Sequence, residues 1–166
     1  VKTDPSISAE KPGSIFVRRL LKPYNWAPEQ PLVKEGVTGN PVAISYNHRI
    51  YLAYQTKSGV MLRVGSALAG TLTLGEPTKI ASDGNLVPNL ATFAGRDAPR
   101  LLLTLWDPKT LRITYSWWDG DQFGADRLLG ALSTIAPGVA EDTIHRQLLL
   151  GSAYDQDTAR PSRWPP

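Results

Sequence analysis

Pro41-Val-Ala-Ile-Ser-Tyr46 and Pro88-Asn-Leu-Ala-Thr-Phe93 stand 47 positions apart and share a proline, apolar positions and a closing aromatic residue. A second register agrees. Leu101-Leu-Leu103 returns 47 positions on as Leu148-Leu-Leu150, and an aromatic residue with an aspartate follows each, Trp106-Asp107 and then Tyr154-Asp155. Upstream, Glu29-Gln-Pro31 followed by Val33-Lys-Glu-Gly36 resembles Glu76-Pro77 followed by Ile80-Ala-Ser-Asp-Gly84. Recurrence at one period marks a chain built from stacked copies of a supersecondary unit.

Inside a unit the hydrophobic period is two. Ile50, Leu52 and Tyr54 fall on one side of residues 49–56, and Leu111, Ile113, Tyr115 and Trp117 alternate with Arg112, Thr114 and Ser116. Turn residues separate the runs at Asn47-His48, Lys57-Ser-Gly59, Gly95-Arg-Asp97, Asp107-Pro-Lys109 and Asp119-Gly120. The fullest copy predicts strands over 89–94, 100–106, 111–118 and 126–129. Four antiparallel strands in about 47 residues is the size of a β-propeller blade. The expected fold is therefore all-β, a partial β-propeller of about three four-stranded blades over 14–160, with a flexible polar arm at 1–13 and a Pro-rich tail at 161–166. A helix within 125–150 stays open as an alternative. Leu128, Leu129, Leu132 and Ile135 fit helical spacing and 141–150 holds good helix formers, while Gly130 and Pro137 oppose a long helix. Three blades leave open edges, so a second copy, another chain or a missing part of the parent polypeptide is expected to complete the ring.

Composition bounds the function classes. A 42% hydrophobic share with 20% charged residues is that of a folding chain, and 14 glycines with 14 prolines favour many turns. The net charge of +3 comes from a small excess, and Arg18-Arg19 is the only adjacent basic pair, so no nucleic-acid stripe is visible in the linear sequence. Without cysteine there is no disulfide, thiolate nucleophile or Cys-ligated metal. No apolar run reaches the ~20 residues of a membrane span. A start at Val1, with no initiator methionine, favours export or processing and hence a secreted or cell-surface location.

The run from Pro41 to Tyr54, with Gly59 and a second apolar strand after it, resembles blades of sialidase-like propellers and related bacterial and animal lectins. Ile113-Thr-Tyr-Ser-Trp-Trp-Asp-Gly-Asp-Gln-Phe-Gly124 resembles the aromatic Asp-Gly hairpin of such lectin blades. The resemblance covers roughly 14–160 and implies sugar binding or, in the sialidases, glycoside hydrolysis. The sequence departs from the sialidase Asp-box, Ser-x-Asp-x-Gly, because Ser116, Asp119, Gly120 and Phe123 are spaced differently. No catalytic arginine set or Tyr–Glu pair maps onto it, so the reading leans away from an enzyme.

Trp117, Trp118 and Asp119, with Tyr115 on the same run, are the leading ligand-binding candidates, since an indole face accepts a sugar's C–H surface and a carboxylate accepts from its hydroxyls. Adjacent strand residues point to opposite sides, so Trp117 and Trp118 divide between two faces. Trp106 and Asp107 form a second candidate pair, against which stands the reading of Asp107 as a turn cap. Trp26, between Pro23 and Pro28, is read as a plug between units. His48 and His145 lack a ligand spacing, and His48 is read as an ordinary turn residue. No cofactor is expected. Calcium is the one metal weighed, through Asp119, Asp121 and Asp126, whose spacing is not that of an EF-hand. Three functions follow: a carbohydrate- or glycoconjugate-binding module, a subunit of a glycoside hydrolase, or a protein–protein scaffold.

Overall fold

The computed structural model describes residues 12–68, 71–93, 99–133, 138–142, 147–151 and 162–163. These residues form strands and turns and contain no helix. The chain divides into two compact units, Val1–Gly84 and Asn85–Pro166. The polar arm lies outside the described residues up to position 11, as does all of the tail except Ser162 and Arg163.

In the first unit, Gly13–Val17 (β1), Leu20–Lys22 (β2), Asn25–Trp26 (β3) and Gln30–Val37 (β4) make one long hairpin, with β1 paired antiparallel to β4 and β2 to β3. A meander follows through Val42–Tyr46 (β5), Arg49–Thr56 (β6) and Gly59–Leu68 (β7). The fourth position is split, because Thr71–Leu74 (β8) and Thr78–Ala81 (β9) both pair with β7. Gly75-Glu76-Pro77 breaks the strand where proline removes a ladder donor, and Gly75 N–H donates to Val64 O at 2.9 Å at the break.

Between β5 and β6 both turn residues are left-handed, Asn47 at φ 46° and His48 at φ 60°, the backbone of a two-residue type I′ hairpin. Between β6 and β7 the turn ends at Gly59, at φ 139°, where a Cβ would come within 2.1 Å of Ala81 O. Glycine is required there by conformation and by space.

The middle strand shows how the unit is covered. Tyr51, Leu52, Ala53, Tyr54 and Gln55 are all buried, so β6 is dry on both faces, where a half-exposed sheet would alternate. On one side Leu52 and Tyr54 meet Ile15, Val33 and Val37 of the long hairpin in a single apolar cluster. Arg63 ties the layers by donating to Leu32 O at 2.6 Å and to Gly75 O at 2.7 Å, and Gln30 Nε2 donates to Leu72 O at 2.9 Å. A slot of about 250 Å³ stays open in this unit, lined by Ile15, Phe16, Ile44, Leu52, Leu72 and Leu74 among others.

In the second unit Val87–Phe93 (β10), Arg100–Trp106 (β11), Arg112–Trp117 (β12) and Arg127–Leu132 (β13) form a four-stranded antiparallel meander. Gly138–Asp142 (β14), Gln147–Gly151 (β15) and Ser162–Arg163 (β16) form a further antiparallel sheet, and β14 comes beside β10. The second strand, β11, again has five consecutive buried residues, Leu101 to Leu105. Each of its four buried leucines is worth roughly 1.5–3 kcal/mol over an exposed one.

The four expected strands of this unit are present, with β13 running on to Leu132. Leu111 is a correction. It sits at φ 59° in the turn, where Ser133 N–H donates to its carbonyl at 2.9 Å, so β12 begins one residue later. The helical alternative over 125–150 is not realised among the described residues, which place β13, β14 and β15 there. Ladder pairing outweighs helical spacing because Leu128 and Leu129 each stand opposite a residue of β12. Among the described residues no sheet closes on itself.

Candidate functional site

The pairing of the second unit decides which candidates share a face, because directly opposed residues in an antiparallel ladder lie on the same side. One row across β10, β11 and β12 is Asn89, Thr104 and Tyr115; the next is Ala91, Leu102 and Trp117; the row on the other side is Val87, Trp106 and Ile113. Phe93 and Arg100 extend this face beyond Trp117, and Arg127 stands opposite Tyr115. Tyr115, Trp117 and Trp106 are therefore on one face, with Trp118 on the other by alternation.

Three side chains of this face touch. The Arg100 guanidinium lies over the Trp117 ring at 4.3 Å from its centroid, and the Phe93 ring is tilted against the same indole with centroids 6.5 Å apart. Arg100 is exposed and the two aromatic residues are half-buried, so the cluster combines a fixed cation with apolar surface within reach of solvent. Arg100 covers part of the indole that the sequence reading offers to a sugar.

Trp118 and Asp119 belong to a hairpin held by its own backbone. Gly124 N–H donates to Trp117 O and Asp119 N–H to Gln122 O, both at 3.0 Å, while Trp118 and Phe123 form an isolated bridge. The Trp118 and Phe123 rings meet edge to face at 5.1 Å and 73°. Asp119 Oδ1 accepts from the N–H groups of Asp121 and Gln122 at 2.9 Å each. Those donors, Gln122 first, hold its carboxyl below the ordinary carboxylate pKa. Gly120, at φ 116°, turns the chain beneath it.

Asp107 is likewise committed to a turn. Its Oδ2 accepts from the Thr110 hydroxyl at 2.6 Å and its Oδ1 from Lys109 N–H at 2.9 Å, and these bonds, the hydroxyl first, lower its pKa. Trp106 points its indole N–H at Ser133 O, 2.8 Å away, which is a structural tie.

The six candidates do not make one site. Trp118 N–H donates to Leu101 O at the start of β11, whereas Asp107 follows its end. A strand of that length separates the two turns by about 20 Å. Nor do Asp119, Asp121 and Asp126 form a calcium cage: among the described residues no three His, Cys, Asp or Glu side chains gather at metal-binding spacing. Burial raises the pKa of Asp126, and the nearby Ser116 hydroxyl opposes the rise.

Trp26, on β3, is 54% exposed. His48 is where the sequence reading places it, in the β5–β6 turn. Trp117 was found by its residue type, whereas Phe93, Arg100 and Arg127 enter through the register of three strand pairs. No protein-family model, curated protein or solved structure matches this chain.

Proposed function

We propose that this chain is part of a β-propeller-type repeat protein that binds carbohydrate at the Phe93, Arg100 and Trp117 face. Three features support the propeller reading. The same strand order occurs twice, in β5 to β8 and in β10 to β13. A third copy begins with β14 and β15, in the positions of first and second strand. In a radial array the first strands of neighbouring sheets come together near the axis, and β14 runs beside β10. Open edges then call for a second copy or another chain to complete the ring.

The observation that carries the binding reading is the guanidinium held over a half-buried indole on the meander's face. An aromatic surface with a cation suits a sugar bearing a carboxylate or sulfate, since the ring takes the apolar side of the sugar and the guanidinium takes the acid in bidentate fashion. The hydrolase reading has weaker support. Glycoside hydrolysis wants two carboxylates about 5–10 Å apart, and Asp107 and Asp119 sit at opposite ends of the sheet, each capping its own turn.

A glycan array that includes acidic glycans tests the proposal. Acidic glycans are expected to be retained, with retention falling at least tenfold in Arg100→Ala and in Trp117→Ala. An array without hits, or retention indifferent to both substitutions, rejects the site.

A further inference from the structure

Five of the six large apolar side chains that stand exposed among the described residues lie within the first hairpin: Phe16 at 46%, Leu20 at 51%, Leu21 at 47%, Tyr24 at 99% and Trp26 at 54%. Every residue from 18 to 26 is exposed, so neither side of the β2–β3 ribbon is covered by the described residues of its own unit. The ribbon is nonetheless ordered by its own bonds. Leu20 pairs with Trp26 and Lys22 with Asn25, Ala27 N–H donates to Arg19 O at 2.8 Å, and Tyr24 takes the left-handed turn at φ 64°. Two cations, Arg18 and Arg19, precede the ribbon, with Arg18 paired with Glu29 at 3.1 Å, and a third, Lys22, lies beside the turn, nearer the tip than Leu20 and Trp26.

We infer that this hairpin is a membrane-interface anchor that inserts its tip among anionic lipid headgroups. A protein surface docked on one side of the ribbon would leave the other side's apolar residues in water, whereas a lipid interface surrounds the ribbon and covers Leu20, Leu21, Tyr24 and Trp26 together. Tryptophan and tyrosine favour that zone because an apolar ring carries one polar group there. The three-residue strand β2 reaches about 10 Å, which matches the depth of roughly 5–10 Å at which interfacial elements bury. Arg18 and Arg19 then lie at headgroup level and Lys22, nearer the turn, reaches that level by snorkelling along its apolar stem, each cation strengthening attraction to anionic lipid roughly fivefold. Among the described residues no helix is long and apolar enough to cross a membrane, and the inferred contact is with the surface. The hairpin belongs to the first unit and is independent of the glycan reading.

Co-sedimentation of the whole chain with vesicles tests the anchor, comparing phosphatidylcholine alone with an equal mixture of phosphatidylcholine and phosphatidylglycerol. The chain is expected to sediment with the mixed vesicles and to be released by salt. Leu20→Ser with Trp26→Ser should abolish sedimentation while leaving the melting temperature unchanged, since both side chains are exposed. Arg19→Glu with Lys22→Glu should remove the preference for phosphatidylglycerol. No sedimentation of the unsubstituted chain with either vesicle overturns the inference, as does unchanged binding by the Leu20 and Trp26 variant. Self-association that protects residues 18–26 from hydrogen exchange in the absence of lipid overturns it too, by assigning the hairpin to a second copy.

Discussion

Thr104 is 1% exposed in the middle of β11, and its hydroxyl has no hydrogen-bond partner among the described residues. A buried hydroxyl without a partner carries a desolvation penalty, and valine has nearly the same shape without the polar atom. Thr104→Val is expected to raise stability by about 1 kcal/mol, measured as a rise in the urea midpoint at constant slope. Asp126 gives the pH-dependent counterpart. Burial puts its folded-state pKa above the unfolded value, so the charged form is disfavoured in the fold. The penalty is absent below the ordinary carboxylate pKa, grows as pH rises through the folded pKa, and is fully present at neutral pH. Asp126→Asn should therefore melt higher than the unsubstituted chain at pH 7, by a small margin because the residue as a whole is exposed, and the difference should vanish in acid. Residue types made Trp117, Asp119 and Asp107 legible in the sequence. What each does was not, because the Arg100 partner of Trp117 and the backbone donors of Asp119 depend on strand register and turn geometry.

At the scale of elements, local residue patterns mark the turns at Asn47-His48, Lys57-Ser58, Asp107-Lys109 and Asp119-Gly120, while the turn expected at Gly95-Arg-Asp97 lies outside the described residues. Asn47-His48 is a two-residue turn because both positions adopt positive φ. Asparagine tolerates that region, whereas histidine at the second position bears a Cβ that opposes it. His48→Gly is expected to stabilise the β5–β6 hairpin by about 0.5–1 kcal/mol after the entropy of glycine is set against the relief of strain. Thermal unfolding checks it; a lower melting temperature would show that the His48 side chain contributes more than its backbone costs. Alternation misled at Leu111 because period two continues through a turn residue as easily as through a strand residue. It was blind to the split of the fourth strand, since β8 and β9 each read as an ordinary short strand and only pairing reveals that both use β7.

Over the whole molecule, protection should follow burial. Strands β6 and β11 are dry on both faces, so their amides open only in the larger unfolding events, while β2 and β3 lack a packed face. Hydrogen exchange on the chain without lipid should find the slowest amides in residues 51–55 and 101–105 and the fastest in 20–26; equal rates in the two groups would contradict this burial pattern. The sequence by itself determined the all-β class and the turn positions at Asn47-His48, Lys57-Ser58, Asp107-Lys109 and Asp119-Gly120. Those properties follow from local backbone preference and from the two-residue period of side chains along a strand. Only the tertiary structure decided that Arg100 meets Trp117, that Trp26 stands in the open and that Asp107 and Asp119 lie apart. These are contacts between residues distant along the chain, and they are set by which strand edges pair and in what register, which no local pattern of residues encodes.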